Sequence, residues 1–599
     1  KIYSLGWNNK KRMVPVLSFA TLNVPLNMVT SNNLITGPNA FDYKLENPIV
    51  YYWNNISKVV YFGGSVGDGQ VLLPTPGWIK TAHKNGSKVF GTIFLSPSAY
   101  GGDNELTQIK YMLSDGTYKL VADQLAKLAI QYGIDGYFVN MEAPYPDGIT
   151  SDDLTKFSSY LRSHKLLNQD NLEVELYYVS GSTGYKMFSS SDSVFIDYNL
   201  CSDYDGSISK AISSGYLSSQ VEFGLDQVYS DIGCINAAIS KNASLARFDY
   251  QGMMSPTPEA ARNPITQYYN ATEFWNKPEY QQFKGTNNHR YTGNGFFTNF
   301  NPGIGNNYYI NGESKNFGFW SELGLQDFLP DTGNGIYTNN INSELKNSEL
   351  IDKAYLDFSQ AFMGSASYSI IYNKSNPNYE FPLYSGINIV NNKNNILSVV
   401  YKYSNYSNLG DISLCVNGDN FKCLSLDGSK GNIRQSNWFQ NDINIGDLGN
   451  IKEIYLINNT NINNDVQKLK INIGQIYIGP DFISSGVSKS GVSNIKLSDP
   501  ISKYDAKTQK LIGNHYVLTW DVINPDRSLG MLSGYDVYYI KNDGSEVFYG
   551  ASFQNIMDVM IPSAASFNNG VNSICVYPQW YYYNGNLSYI KSSFNCVSI

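Results

Sequence analysis

No run of about eighteen consecutive apolar residues occurs in the sequence, so no membrane-spanning helix is expected. Charge is scarce: Asp, Glu, Lys and Arg make up 16% of the 599 residues, and the net charge is −8. A chain without a basic footprint is not expected to bind nucleic acid. Histidine is rarer still, with four residues, and the six cysteines show no CxxC spacing and no Cys/His cluster. Nothing here resembles a zinc site, and no metal or cofactor is expected. The opening KIYSLGWNNKKR lacks the apolar core of a secretory signal, and a start at Lys fits a mature or trimmed chain.

Aromatic residues, by contrast, are abundant: 48 Tyr, 29 Phe and 8 Trp. Two readings stand side by side. A codon bias toward Tyr, Asn, Ile and Lys would produce such a composition. So would a need to bind flat polar ligands, because rings stack on apolar faces and the Tyr hydroxyl hydrogen-bonds. The cysteines fall into three neighbouring couples, Cys201 with Cys234, Cys415 with Cys423, and Cys575 with Cys596. They are either reduced and buried or disulfide-bonded, the last two couples first. Disulfides imply an oxidising, extracellular setting, so the chain is expected to be secreted or at the cell surface, as a monomer.

From about residue 13 to 335, short β runs alternate with helical stretches. The apolar runs are VVYFGG (59–64), KVFGTIF (88–94), GYFVNME (136–142), VELYYVS (174–180), SVFIDYN (193–199), QVEFGLD (220–226), SLARFDY (244–250) and FFTNFN (296–301). Between them lie amphipathic stretches such as 117–133, with Leu120, Leu125, Leu128 and Ala129 assigned to one face. Ser151 before DDLTKFSSYLRS reads as a helix start. Eight β/α units predict a (β/α)8 TIM barrel over residues 1–338. Beyond it, short alternating runs separated by Asn, Gly and Asp predict an all-β remainder. Two β-sandwiches are expected there, a carbohydrate-binding-like one over 339–485 and a fibronectin type III-like one over 486–599. The fold class is therefore α/β plus all-β.

Barrel active sites lie at the C-terminal ends of the strands. The segment DGYFVNMEAPYPDG (135–148) places Phe138, Asn140 and Glu142 on one face, because residues two apart on a strand share a side. If that face is the interior, an amide and a carboxyl stand together at a strand's end. Such a pair suits substrate-assisted glycoside cleavage, in which the sugar's own 2-acetamido oxygen attacks the anomeric carbon. Glu142 would be the general acid, and Asn140 would orient the acetamido group, by its iminol tautomer or by position alone. The plainer reading is that both residues cap a strand and hold a loop.

DGYFVNME resembles the signature of glycoside hydrolase family 85, the endo-β-N-acetylglucosaminidases. The stretch VVYFGG through KVFGTIF (59–94) is similar to that family's YFSH, PP, W, AH, NG and K-V-x-G-T run. SVFIDYNL resembles its F-x-NY-x strand, FFTNFNPGIGNNYYINGE its T-x-F-N-x-G-x-G segment, and FWSELGLQDFLP its late W…Q…P segment. The resemblance covers about residues 50–335. It implies N-glycans on glycoproteins as partners, cut at the GlcNAc-β-1,4-GlcNAc bond of their core, with retention and with transglycosylation as a side reaction. It assigns the acid/base to Glu142, the orienting amide to Asn140 and an active-site tyrosine to Tyr177, with Tyr178 an alternative. Leu176, Tyr178 and Val179 depart from the family's WYDS, and YFGG loses a histidine. Trp78, His83, Asp197, Asn199, Asp226, Tyr250 and Trp320 are candidates for substrate contact. Trp78 and His83, with Asn85, are equally barrel packing, and Trp320 either stacks on sugar or fills the barrel mouth. Asp135 reads as structural.

Two other readings fit parts of the sequence. A family 18-like chitinase has the signature DGxDxDxE, and both middle aspartates are missing here, at Phe138 and Asn140. A non-catalytic glycan-binding surface protein would have no use for Glu142.

Overall fold

The structure, a computed structural model, describes residues 2–6, 49–62, 70–74, 76–100, 102–178, 190–197, 200–225, 231–248, 263–278, 280, 291–293, 295–314, 320–321, 323, 326–331, 353–373, 380–404, 412–458, 468–480, 491–504, 511–523, 531–552, 556–562, 570–583, 587–591 and 595–599. Two compact units emerge. The first comprises residues 1–21, 55–254 and 275–287, and the second 22–54, 255–274 and 288–599.

The first unit is built on eight parallel strands: β1 Ile2–Gly6, β2 Ile56–Tyr61, β3 Lys88–Leu95, β4 Gly136–Met141, β5 Glu173–Tyr178, β6 Ser193–Ile196, β7 Val221–Leu225 and β8 Ser244–Phe248. Each pairs with the next, and β1 pairs with both β2 and β8, so the ladder closes on itself. Val60, Phe62, Phe90, Phe94, Phe138, Phe195 and Ala246 fill the interior as one cluster. Every residue of β4 is buried, as expected where helices cover one face of a strand and the interior the other. Tyr137, in the opposite phase from Phe138, donates its hydroxyl to Leu125 O at 2.8 Å on the helix Tyr118–Tyr132. A Cβ at Gly136 would lie 2.3 Å from Glu173 O, so the Gly of the DG pair permits close β4–β5 approach.

Three expectations change at this level. FFTNFN is not a barrel strand: Phe296–Thr298 pairs antiparallel with Lys468–Pro480 in the second unit, and the eighth strand is Ile2–Gly6. The buried stripe of Tyr118–Tyr132 is Ala122, Leu125, Ala126 and Ala129, at true i, i+3, i+4, i+7 spacing, while Leu120 is exposed. The helix Ser151–Leu161 is capped one residue earlier, with Thr150 and Asp153 forming a reciprocal capping box.

The second unit is dominated by sheets. Lys468–Pro480 sits between Ser367–Asn373 and Asn395–Tyr403 in a seven-stranded sheet, and Ile412–Asn417 and Glu453–Asn458 are central in a four-stranded one. Two further sheets of four and five strands follow from Gly491 onward. Trp438 and Phe362 pack edge to face at 5.7 Å, and Trp520 does the same with Tyr535 at 5.2 Å. The cysteines pair as Cys201–Cys234, Cys415–Cys423 and Cys575–Cys596.

Candidate active site

The last interior positions of β4 converge on one pair. Asn140 is 3% exposed, and its Nδ2 donates to Glu142 Oε1 at 2.8 Å. Glu142 is half-buried just past the strand, held by its backbone N–H on Leu95 O at 2.8 Å. The next N–H, of Ala143, donates to the same carbonyl at 2.9 Å. With Nδ2 committed, Asn140 Oδ1 is buried and has no hydrogen-bond partner among the described residues. A buried acceptor left open is costly and calls for a partner.

Burial raises the Glu142 carboxyl above the ordinary range; the Asn140 hydrogen bond opposes the rise, and the Asp197 charge adds to it. Asp197 follows β6 and continues the phase of Ser193 and Phe195. Between the two lies β5. The register that pairs Val139 with Leu176 sets Asn140 beside Tyr177 when continued by one residue. The half-buried Tyr177 ring meets Phe138 edge to face at 6.4 Å and stacks on Phe195 at 5.6 Å. Asn140, Glu142, Tyr177 and Asp197 thus gather at adjacent strand ends, where a barrel carries its chemistry.

Two candidates lie elsewhere. Trp78, on the helix Pro76–Lys84, is 3% exposed and meets Tyr61 edge to face at 6.3 Å; a ring so enclosed has no face for a sugar. His83 Nε2 and Asp135 Oδ2 lie 2.6 Å apart, and Asp135 Oδ2 also accepts from Val89 N at 2.7 Å. These groups stand where β3 and β4 begin, the end opposite Glu142. Asn85 is buried on its own helix turn, with Nδ2 donating to Thr81 O at 2.9 Å. Trp320 starts a two-residue strand of the second unit, and its side chain lies outside the described residues, as do Asn199, Asp226, Tyr250 and the side chain of Tyr178.

A second polar cluster, unforeseen, occupies the N-terminal half of the barrel. Lys58 Nζ on β2 donates to Glu175 Oε2 on β5 at 2.5 Å, to Glu222 Oε1 on β7 at 2.8 Å and to Ser193 Oγ on β6 at 3.3 Å. Burial, then the Glu175 carboxylate, push Glu222 well above the carboxylate range. The signal was present in the sequence: ISKVVY and VEFGL each set one charge, and EVELYY two, in otherwise largely apolar strands, with opposite signs available to meet.

A closed parallel barrel with a half-buried carboxyl of raised pKa and an amide beside it at a strand's end is the kind of arrangement that acid–base cleavage of a glycosidic bond requires. Residues 39–308 match the family model described as Glycosyl hydrolase family 85. The chain is 24% identical over 315 residues to a cytosolic endo-beta-N-acetylglucosaminidase of Gallus gallus, a match covering 48% of this chain and 40% of the relative. It is 33% identical over 92 residues to one of Homo sapiens, covering 15% and 11%. The chain thus spans well under half the length of these relatives. In fold it is similar to the glycoside hydrolase domain of Endo-D from Streptococcus pneumoniae R6, with TM-score 0.64 and 17% identity over 100% of this chain and 90% of that one. The relatives' names overturn the expectation of a secreted or cell-surface location, since those of chicken, human and Arabidopsis thaliana are all called cytosolic. The step from paired cysteines to an oxidising compartment is withdrawn with it. Among the described residues no helix is long and apolar enough to cross a membrane.

Proposed function

We propose that the chain is an endo-β-N-acetylglucosaminidase that hydrolyses the GlcNAc-β-1,4-GlcNAc bond in the core of N-linked glycans by a substrate-assisted, retaining mechanism. One observation carries this reading: Asn140 gives its N–H to Glu142 and keeps a buried, unpartnered Oδ1. That oxygen is the acceptor an acetamido N–H requires. Holding the N–H there turns the acetamido oxygen toward the anomeric carbon, and fixing an internal nucleophile captures the large advantage of intramolecular attack.

In the first step the acetamido oxygen bonds to C1 as the C1–O glycosidic bond breaks. The Glu142 proton passes to the leaving oxygen, which belongs to the GlcNAc that stays on the protein. The product is an oxazolinium ion whose N–H rests on Asn140 Oδ1. In the second step water attacks C1 from the vacated side, Glu142 takes its proton, and the five-membered ring opens. Two inversions give retention. Glu142 must be protonated at the start, and burial together with Asp197 favours that form. We assign Tyr177 to the wall beside the reacting sugar. Transglycosylation follows if a sugar hydroxyl replaces water.

Catalysis rests in this reading with the barrel. The sheets over 339–485 and 486–599 form two sandwiches, the first a candidate for carbohydrate binding. A family 18-like reaction is disfavoured because Phe138 packs in the apolar interior where that family needs a carboxylate. The test is to treat a glycoprotein bearing high-mannose, trimmed or complex N-glycans and to weigh both products. One GlcNAc left per site supports the proposal; no release from any of the three glycan types sinks it.

A further inference from the structure

We infer that Tyr145 is a sugar-stacking residue that holds the GlcNAc on the leaving side of the scissile bond, an inference that rests on the reading of Glu142 as general acid. Among the described residues of the first unit, Tyr111 and Tyr145 are the exposed large aromatics. Tyr111 lies on the helix Leu106–Leu113. Tyr145, 37% exposed, lies on the loop that leaves the C-terminal end of β4, three residues beyond Glu142. Three residues span at most about 11 Å, so the Tyr145 backbone stands within that distance of Glu142's.

The loop is stiff. Its start is fixed by the Ala143 N–H on Leu95 O at 2.9 Å. Pro144 and Pro146 flank the tyrosine and lock their own backbone angles, and Pro146 is buried. The Ile149 N–H closes on Pro146 O at 2.9 Å, and the capping box at Thr150 pins the far end. A large ring presented on so short and anchored a frame loses little freedom when a ligand arrives.

The order along the chain gives the side of the bond. Asn140 is deepest and holds the acetamido of the sugar that is attacked. Glu142 comes next, at the glycosidic oxygen. Tyr145 is outermost. The leaving GlcNAc carries a whole protein and must point outward, so it is the ring that can meet Tyr145.

The experiment compares wild type, Y145A, Y145F and Y145W on a glycopeptide, with E142Q alongside, and measures KM, kcat, thermal midpoint and inhibition by the two products. Loss of one aromatic contact is expected to raise KM about fivefold in Y145A, with kcat within about twofold, the pattern of lost uniform binding. Y145F and Y145W should restore it. Inhibition by the GlcNAc-bearing peptide should weaken about as much, while inhibition by the released glycan stays as it is. Unchanged KM in Y145A, equal losses in Y145F and Y145A, or weakened inhibition by the released glycan alone would overturn the inference. Wild-type turnover in E142Q would instead overturn the reading beneath it, whatever Tyr145 does.

Discussion

The barrel interior carries acidic side chains near both ends, and they differ in what faces them. Toward the N-terminal ends, Glu175 and Glu222 close on Lys58, all three buried. At the C-terminal ends, Glu142 faces an amide and another carboxylate. In both places a glutamate holds its proton above the ordinary range. The first cluster is shut off from solvent and has a cation to balance one charge, so its protons go nowhere. The second is half-open to solvent, and in the proposed reaction its proton is given and taken back. A raised carboxyl becomes chemistry only when it can reach water and substrate.

Glu→Gln at each end tests that contrast. E142Q should cut hydrolysis by about 10²–10⁴-fold, the scale of general acid–base help, with the thermal midpoint unchanged. Lys58→Met should unfold the barrel more readily by about 3–5 kcal/mol, because a buried charge loses its partner; denaturant titration reads this directly, and a smaller effect would mean water reaches the cluster. Asn140→Ala should fail on intact glycan yet consume a preformed oxazoline donor, since the step it assists has been passed. Comparable loss on both donors would make Asn140 structural.

Asp197→Asn should act on pH alone. Removing the charge lowers the Glu142 pKa, so the basic limb of the pH–rate profile moves to lower pH. A limb that stays put would detach Asp197 from the acid. E222Q should do least, within about 1 kcal/mol at neutral pH, because an amide imitates the protonated acid. Its signature lies in pH dependence. The native chain binds more protons than the unfolded one above the ordinary carboxylate range, so wild-type stability falls as pH rises there, and E222Q should flatten that fall.

The meeting of Asn140 and Glu142 was legible in advance. Period-two alternation put Asn140 and Glu142 on the interior face, and Tyr137 packs outward as that phase requires. What escaped was long-range. FFTNFN alternates like a barrel strand, but its partner is Lys468–Pro480, and nothing local distinguishes the two environments. IYSLG is short and stands far in sequence from either partner. The roles considered for Trp78 and His83 came from matched motif positions, and such a match does not say which end of a strand a helix residue reaches.

Strand β1 has a consequence for how the barrel is made. Ile2 pairs with Leu245 on one side and Ile56 on the other. A nascent chain produces this strand first and must keep it unpaired on the β8 side until the eighth strand exists. Contacts so distant in sequence form slowly, and an open sheet with two bare edges invites pairing with other chains. The β1–β8 closure thus joins the pair of barrel strands most distant in sequence, and until it forms both edges of the sheet stand open.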